Sequence, residues 1–132
     1  MATGYTNTLG NTIIDHIFRN QAYTPPTTIY VALTTTTPSR TAAGTEVTGG
    51  SYARVSVAFS AAGSGLSSNS GTLTWPTATA DWGTVTHVEL YDASTSGNRL
   101  WFGALTASRT ITNGTTFSIA AGDLDLDASV TG

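Results

Sequence analysis

DWGTVTHVELYDASTSGNRLWFGAL, residues 81–105, is the stretch that decides the fold of this chain. Residues 84–92 are rich in β-branched and aromatic side chains, which favour strands. The polar segment 93–98 contains the Ser, Gly and Asn that tight reversals need. Residues 99–105 then return with alternating apolar side chains. The stretch therefore predicts two antiparallel strands joined by a turn, and its tryptophans make it the expected centre of the core.

Alternation also predicts which side chains share a face of each strand. In the first strand it puts Val88 and Leu90 on one face, and Val85 with His87 and Glu89 on the other. In the second strand it sets Leu100, Phe102 and Ala104 against Arg99, Trp101, Gly103 and Leu105. In residues 27–37 it puts Ile29, Val31 and Leu33 inward, and Tyr30, Ala32 and Thr34 outward.

The composition is typical of an all-β protein with a hydroxyl-coated exterior. Threonine and serine account for 40 of the 132 residues, and only 10% of residues are charged. The net charge of −3 and the 12 aromatic residues argue against disorder. Threonine is also a strand former because its branched Cβ suits a pleated surface. A surface with so few charges favours contact with protein partners.

The rest of the chain supplies further short strands. Residues 27–37 and 52–60 alternate with a period of two, 72–75 is a short strand, and Asn113-Gly114 predicts a hairpin. Residues 38–50 and 61–71 are expected to be loops, the second too rich in Gly and Ser to pack. A last edge-type strand is expected where Leu124 and Leu126 alternate with three aspartates. We therefore predict an all-β single domain, residues 1–132, with about seven or eight short antiparallel strands in a β-sandwich or jelly-roll-like barrel at 27–130.

One helix precedes the strands. Residues 1–10 are expected to form a polar arm and 11–20 a helix, which begins at about Thr8 or Asn11. Leu9, Ile13, Ile17 and their neighbours form an apolar stripe, and Pro25-Pro26 forbids continuation. A lone helix of this length is marginal unless it packs on something, so we expect it to contact the sheets or a neighbouring subunit.

Several classes of function are disfavoured. The chain has no Lys and five scattered Arg, so it offers no basic patch for nucleic acid. It has no Cys, no apolar run long enough to span a membrane and no signal-peptide pattern at its N-terminus, which predicts synthesis in a cytoplasm. We predict no cofactor and no metal ligand.

No constellation of catalytic residues is evident. Residues 123–127 (DLDLD) resemble a calcium loop but lack the Gly and Glu that such a loop needs, so strand alternation explains them better. His16 lies beside Asp15, and His87 shares a strand face with Glu89, a polar pair for which the sequence offers no third catalytic group. A glycan hydrolase would need two facing carboxylates, and nothing places the two glutamates, Glu46 and Glu89, together.

Three segments resemble a family of small tailed-bacteriophage virion proteins. The first is EVTGGSYAR, Glu46 to Arg54, and the second is WGTVTH, Trp82 to His87. The third, Asp92 to Asn98, begins D-A and ends G-N. The N-terminal segment TNTLGNTIIDHIFRN is similar as well. Proteins of this kind are described as head decoration (cement) proteins, tail-fibre proteins or structural proteins, and the resemblance implies no catalytic residues.

We expect a non-enzymatic capsid decoration protein on the virion surface, made in the cytoplasm of the bacterial host. The chain is short for a fibre and has no repeat of the shaft type. The resemblance implies a homotrimer that binds the major capsid protein and clamps neighbouring shell subunits. The residues expected at these interfaces are Tyr5, Leu9, Ile13, Ile17 and Phe18.

The alternative is a tail-fibre or tail-tip module that binds a host-surface glycan. Exposed aromatic residues would form its platform, with Trp75, Trp82, Trp101, Tyr5 and Tyr23 as the candidates. Aromatic residues are more common in cores and interfaces than in sugar platforms. Copy number separates the alternatives, because decoration needs hundreds of copies per particle and a tail needs a handful.

Overall fold

The computed structural model of the protein describes residues 4–128, which form nine strands and one helix. In chain order these are β1 (Gly4–Tyr5), α1 (Asn7–Phe18), β2 (Ile29–Thr34), β3 (Val55–Val57), β4 (Leu66–Ser68), β5 (Leu73–Thr74), β6 (Gly83–Tyr91), β7 (Arg99–Ile111), β8 (Ser118–Ile119) and β9 (Asp125–Asp127). The prediction of an all-β fold with an N-terminal helix is confirmed.

The strands pair into one large sheet and two small ones, all antiparallel. The large sheet has the order β1-β7-β6-β2-β3, with the β6–β7 hairpin at its centre, as residues 81–105 predict. β4 pairs with β9, and β5 pairs with β8. Each two-stranded sheet joins segments far apart in sequence, so the small sheets close the domain around the large one.

A hydrophobic cluster lies on one face of the large sheet, which we call the core face. It carries Val31 and Leu33 of β2, Val88 and Leu90 of β6, and Trp101 of β7, all of them buried. The small sheets and their flanking segments complete the cluster with Leu73, Trp75, Ala78, Phe117 and Leu124. The alternation predicted for β2 and β7 therefore holds on this face.

Val85 departs from the predicted alternation. Its side chain is fully buried in the hydrophobic cluster with Val88, whereas simple alternation puts the two on opposite faces. Val85 lies opposite Arg109 and His87 lies opposite Ala104, so β7 advances more residues than β6 over this interval. Such an irregularity changes the face that the following side chains take, and alternation alone does not reveal it.

The segment 61–71 is not a plain loop, because it contains β4. Asn69, which is 2% exposed, organises this region. Its side-chain amide donates to the carbonyl oxygens of Gly71 and Ala120, and its Oδ1 accepts from the N–H of Leu124 at 2.9 Å. One buried asparagine thus supplies hydrogen bonds to two distant segments and offsets the poor packing of the Gly- and Ser-rich sequence.

The Asn113-Gly114 dipeptide forms a turn but not the predicted hairpin. The N–H of Thr115 donates to the carbonyl oxygen of Thr112, and Gly114 has a φ of +90°. The flanking strands then separate, because the end of β7 continues its pairing with β6 while β8 pairs with β5. The local sequence therefore determines the turn, whereas packing in the core determines which strands pair on either side of it.

The opposite face of the large sheet, which we call the covered face, is also buried. Ala32 and Thr34, predicted to point outward, are fully buried there. Segment 38–46 lies across this face, where the N–H of Gly44 donates to Glu89 Oε2. Segment 38–46 therefore adds a second, polar layer to the domain. Alternation in the sequence does not distinguish such a loop from one exposed to solvent.

α1 begins earlier than the predicted 11–20, which shortens the predicted arm. Thr6, 2% exposed, caps the helix by accepting from the N–H of Leu9 at 3.2 Å. Its backbone N–H donates to Leu100 O, so the cap is also attached to β7. The helix ends at Phe18, and Asn20 takes the left-handed φ of +55° that often follows a helix. Within residues 4–128, no helix is long and apolar enough to cross a membrane.

Candidate functional site

The motif residues Glu46, Tyr52 and Arg54 form one hydrogen-bonded cluster beside β2. Arg54 Nη2 donates to Glu46 Oε1 at 2.8 Å, and its Nε donates to Oε2 at 2.9 Å, which makes the ion pair bidentate. Tyr52 donates its hydroxyl hydrogen to Glu46 Oε2 and accepts from the N–H of Leu33. The three side chains thus connect segment 46–54 to the middle of β2.

Arg54 also holds the turn between β6 and β7. Its Nη1 donates to the carbonyl oxygens of Ala93 and Ser96, at 2.9 and 2.8 Å. The guanidinium carbon lies 3.7 Å from the centre of the Tyr91 ring, in a cation–π contact. Only 7% of the Arg54 side chain is exposed. One residue of the first motif therefore fixes the position of the third.

Trp82, in the second motif, is attached to the glycine pair of the first. Its Nε1–H donates to the carbonyl oxygen of Gly50 at 2.9 Å, and its ring packs edge-on against Tyr52 with centroids 5.4 Å apart. Asp92 closes the third motif by accepting from the backbone N–H and the side-chain amide of Asn98. Arg54 thus links the first motif to the third, and Trp82 links the second motif to the first.

Glu89 is the most deeply buried charged group, with no exposed surface. Its Oε2 lies 3.2 Å from Arg99 Nη1 in an ion pair, and Tyr91 donates a long hydrogen bond of 3.4 Å to Oε1. Burial raises the pKa of Glu89, against the opposing effects of the Gly44 N–H and Arg99. Burial likewise raises the pKa of Tyr91 to about 12. The carboxyl of Glu89 is therefore held by internal partners that only partly offset the effect of its burial.

α1 presents an apolar stripe to solvent. Ile14, Ile17 and Phe18 are 54%, 63% and 80% exposed, and their spacing places them on one side of the helix. We call these three residues the helix patch. Of the predicted interface residues, Ile17 and Phe18 belong to this patch. Tyr5, Leu9 and Ile13 are only partly exposed, and Tyr5 packs against the hydrophobic cluster. Ile14, which belongs to the predicted apolar stripe but not to the predicted interface residues, is exposed as well.

A family model described as podophage GP4 fiber I protein gp80 matches residues 4–127. The chain belongs to this family. It is therefore a bacteriophage virion structural protein, as the resemblance predicts. No curated protein matches the chain.

In this member of the fibre-protein family, the three motifs serve the interior of the domain. Each motif supplies a side chain that hydrogen-bonds a backbone carbonyl or amide of another segment or turn. The motif side chains Glu46, Arg54 and Trp82 are thus already occupied by protein partners. Within residues 4–128, three of the four exposed large apolar side chains lie elsewhere, on the helix patch.

The structure brings the two glutamates near each other, so that Glu46 contributes to the raised pKa of Glu89, but neither carboxyl is placed as a glycan hydrolase needs. Glu46 is held by Arg54, and Glu89 has no surface that a substrate could reach. His87 contacts the Thr86 hydroxyl, with its Nδ1 at 2.8 Å, while Glu89 pairs with Arg99. Burial lowers the pKa of His87. Within residues 4–128, no three acidic or histidine side chains are grouped as a metal ion would require.

The tryptophans do not form the exposed aromatic platform considered for the alternative. Trp75, Trp82 and Trp101 are 1%, 6% and 4% exposed. Sequence alone cannot separate a platform from a core tryptophan, because both occur in strand-like segments. Of the other two candidates, Tyr5 packs against the hydrophobic cluster and Tyr23 is partly exposed.

We predict unequal costs for alanine at the two adjacent glycines of the first motif. Both have positive φ, +74° for Gly49 and +56° for Gly50. A Cβ at Gly49 meets nothing within 4 Å, whereas one at Gly50 would lie 2.8 Å from Trp82 Nε1. Gly49→Ala should cost about 1 kcal/mol for its backbone conformation, and Gly50→Ala at least about 2 kcal/mol more. Urea unfolding of both variants measures the difference, and equal costs would contradict the close contact with Trp82.

We also predict that Glu46 makes stability depend on pH. Burial disfavours its charge, but the hydrogen bonds from Arg54 and Tyr52 outweigh burial and hold its pKa below the ordinary value of 4.5. A carboxyl with a lower pKa in the folded state stabilises the fold above its unfolded pKa, and the contribution is lost as pH falls through the folded pKa. Glu46→Gln should therefore be less stable than the natural protein near neutral pH, with a difference that shrinks below about pH 4.

Chemical unfolding of both proteins between about pH 3 and about pH 7 measures this difference. Glu89 contributes an opposite effect, part of which comes from the charge of Glu46, so the measured difference is the net effect of removing that charge. A difference that stays constant across the range would show that the charge of Glu46 does not contribute.

Proposed function

We propose that this protein is a non-catalytic subunit of the phage fibre, joined to the particle through the helix patch. The exposure of Ile14, Ile17 and Phe18 carries the proposal. Fully burying a side chain of this size contributes about 1.5–3 kcal/mol, so an exposed apolar stripe on a sparsely charged surface favours association. The description of the family as a fibre protein supports the fibre over other parts of the particle.

The partner that best fits the helix patch is a second copy of this chain. The patch is a narrow stripe on one helix, and like stripes can pack against each other around a symmetry axis. It carries no charged side chain that would need a complementary one on a different partner. A homotrimer, in which three patches meet on the axis, would bury all nine side chains and present three identical β domains.

Capsid decoration is the second candidate, with the major capsid protein as the partner and the capsid surface as the location. The make-up of the subunit favours it, since residues 4–128 hold a single 12-residue helix and strands of at most 13 residues, with no element of the shaft type. Weak contacts made by the helix patch would then act together over many copies on the shell.

Locating the protein in purified particles tests the proposal. Antibody labelling and image reconstruction should place a few copies on the tail, and quantitative mass spectrometry should give a copy number far below that of the major capsid protein. Hundreds of copies spread over the head would overturn the fibre assignment in favour of decoration. Absence from purified particles would overturn both.

A further inference from the structure

A groove of about 410 Å³ lies along the second half of β7. One wall is formed by Gly103 to Ala107 and Arg109, and the other by residues 118–120 and 123–125. Trp101 and Phe117, both nearly fully buried, belong to its lining. Volumes of roughly 300–1,000 Å³ are typical of small-molecule sites, so the groove has room for a ligand of one or two rings.

The charged side chains of this groove are exposed, and within residues 4–128 they make no hydrogen bond or ion pair. Four of the five arginines hydrogen-bond other residues of the chain, but the guanidinium of Arg109 makes no hydrogen bond within residues 4–128. It only lies over the ring of Phe117, 5.8 Å from its centre. The carboxylates of Asp123 and Asp125 likewise have no hydrogen bond or ion pair in the described part of the chain, whereas Asp15, Asp81 and Asp92 all have one.

A buried donor in the lining of the groove is also unsatisfied. Trp101 is 4% exposed, and its indole N–H finds no acceptor among the described residues. A buried donor without an acceptor costs free energy, and most such donors in proteins are paired. Gly103 permits this arrangement, because a Cβ there would lie 2.4 Å from the Trp101 ring. Trp101 thus adds to the lining residues of the groove an N–H for which residues 4–128 supply no acceptor.

We infer that this groove binds a neutral saccharide unit. Carboxylates accept hydrogen bonds from sugar hydroxyls, and guanidinium and indole N–H groups donate to them, so the unpaired groups match a polyhydroxylated ring. Two carboxylates against one guanidinium disfavour an anionic sugar. This inference rests on the proposed fibre function, since a fibre has reason to contact a host surface, and it names the class of molecule contacted.

An added peptide strand fits the groove less well. β1 pairs with β7 only at Trp101 and Phe102, so the same edge of β7 is open beyond them within the described residues. Along this open edge, however, the pairing of β7 with β6 is irregular between Ala104 and Arg109. Such irregularities blunt an edge against strand addition.

Titration of the full-length ¹⁵N-labelled protein with sugars tests the inference. The probes are glucose, galactose, rhamnose and N-acetylglucosamine as neutral sugars, and glucuronate as the anionic one. At least one neutral sugar should shift the indole signal of Trp101 and the amide signals of Ser118 and Arg109. Trp82, whose N–H is held by Gly50, is the internal reference. Glucuronate should bind at least about tenfold more weakly.

Variants of the groove separate specific binding from weak surface association. Arg109→Ala, and Asp123→Asn combined with Asp125→Asn, should each weaken binding of the neutral sugar by about tenfold, because each removes a charge-assisted hydrogen bond. The matched controls are Arg19→Ala and Asp15→Asn, which remove the same charges from an exposed ion pair on α1 and should leave binding unchanged.

The outcomes distinguish this inference from the proposed function. The inference is overturned if no neutral sugar shifts the groove signals, if the groove variants bind as the natural protein does, or if glucuronate binds more tightly. It is also overturned if the groove is filled by a segment of another protein in the reconstructed particle. None of these results contradicts the proposed location in the fibre, because the labelling of particles tests that location separately.

Discussion

Replacing Arg54 with alanine is expected to lower the free energy of unfolding by about 3–5 kcal/mol. The substitution leaves Glu46 partly buried without its bidentate partner and removes the donors to the carbonyl oxygens of Ala93 and Ser96. It also removes the cation from the face of Tyr91. For a domain whose total stability is of the order of 5–15 kcal/mol, this loss approaches unfolding.

Two further variants isolate the cause of that loss. Arg19→Ala removes an arginine from an exposed ion pair, whose side chains are 63% and 44% accessible, and should cost at most about 0.5 kcal/mol. Arg54→Lys keeps the charge but cannot form the fork to Glu46 and reach the turn as well, so most of the loss should remain. Urea unfolding followed by tryptophan fluorescence measures all three. A cost for Arg54→Ala as small as that for Arg19→Ala would contradict the role assigned to the cluster.

The large features of the fold follow from the sequence because they depend on local rules. The β6–β7 hairpin is specified by alternation on both sides of a polar turn, and the inward residues of β2 by alternation alone. The helix follows from its apolar spacing, although its cap is Thr6 rather than Thr8 or Asn11. Thr6 is the cap because its hydroxyl also hydrogen-bonds the carbonyl oxygens of Arg99 and Leu100 in β7.

The features that escaped prediction depend on contacts between distant segments. The position of Val85 is set by the irregular pairing of β6 and β7, and β4 depends on the hydrogen bonds of Asn69 to residues 120 and 124. The covered face needs segment 38–46, which sequence reasoning leaves as a loop. For the same reason, the groove could not be predicted, because β7 meets residues 118–125 only in the folded chain.

Replacing the helix patch with glutamine is expected to abolish assembly while leaving the domain folded. The variant carries Ile14→Gln, Ile17→Gln and Phe18→Gln, which keep good helix propensity. All three side chains are more than half exposed, so the free energy of unfolding of the isolated subunit should change by less than about 1 kcal/mol. At an interface, however, each substitution should cost about 1 kcal/mol of binding free energy. The three together should therefore weaken the affinity between subunits roughly a hundredfold.

Light scattering of the purified protein and quantification of the protein in phage particles measure the two effects. The natural protein should be oligomeric and incorporated, and the variant monomeric and missing from particles. Leu66→Gln is the matched control, because Leu66 is 48% exposed on β4 and lies outside the helix patch, so it should assemble normally. If the triple variant is incorporated as well as this control, apolar exposure on α1 has another cause, and the contact that holds the subunit must be sought on the β domain.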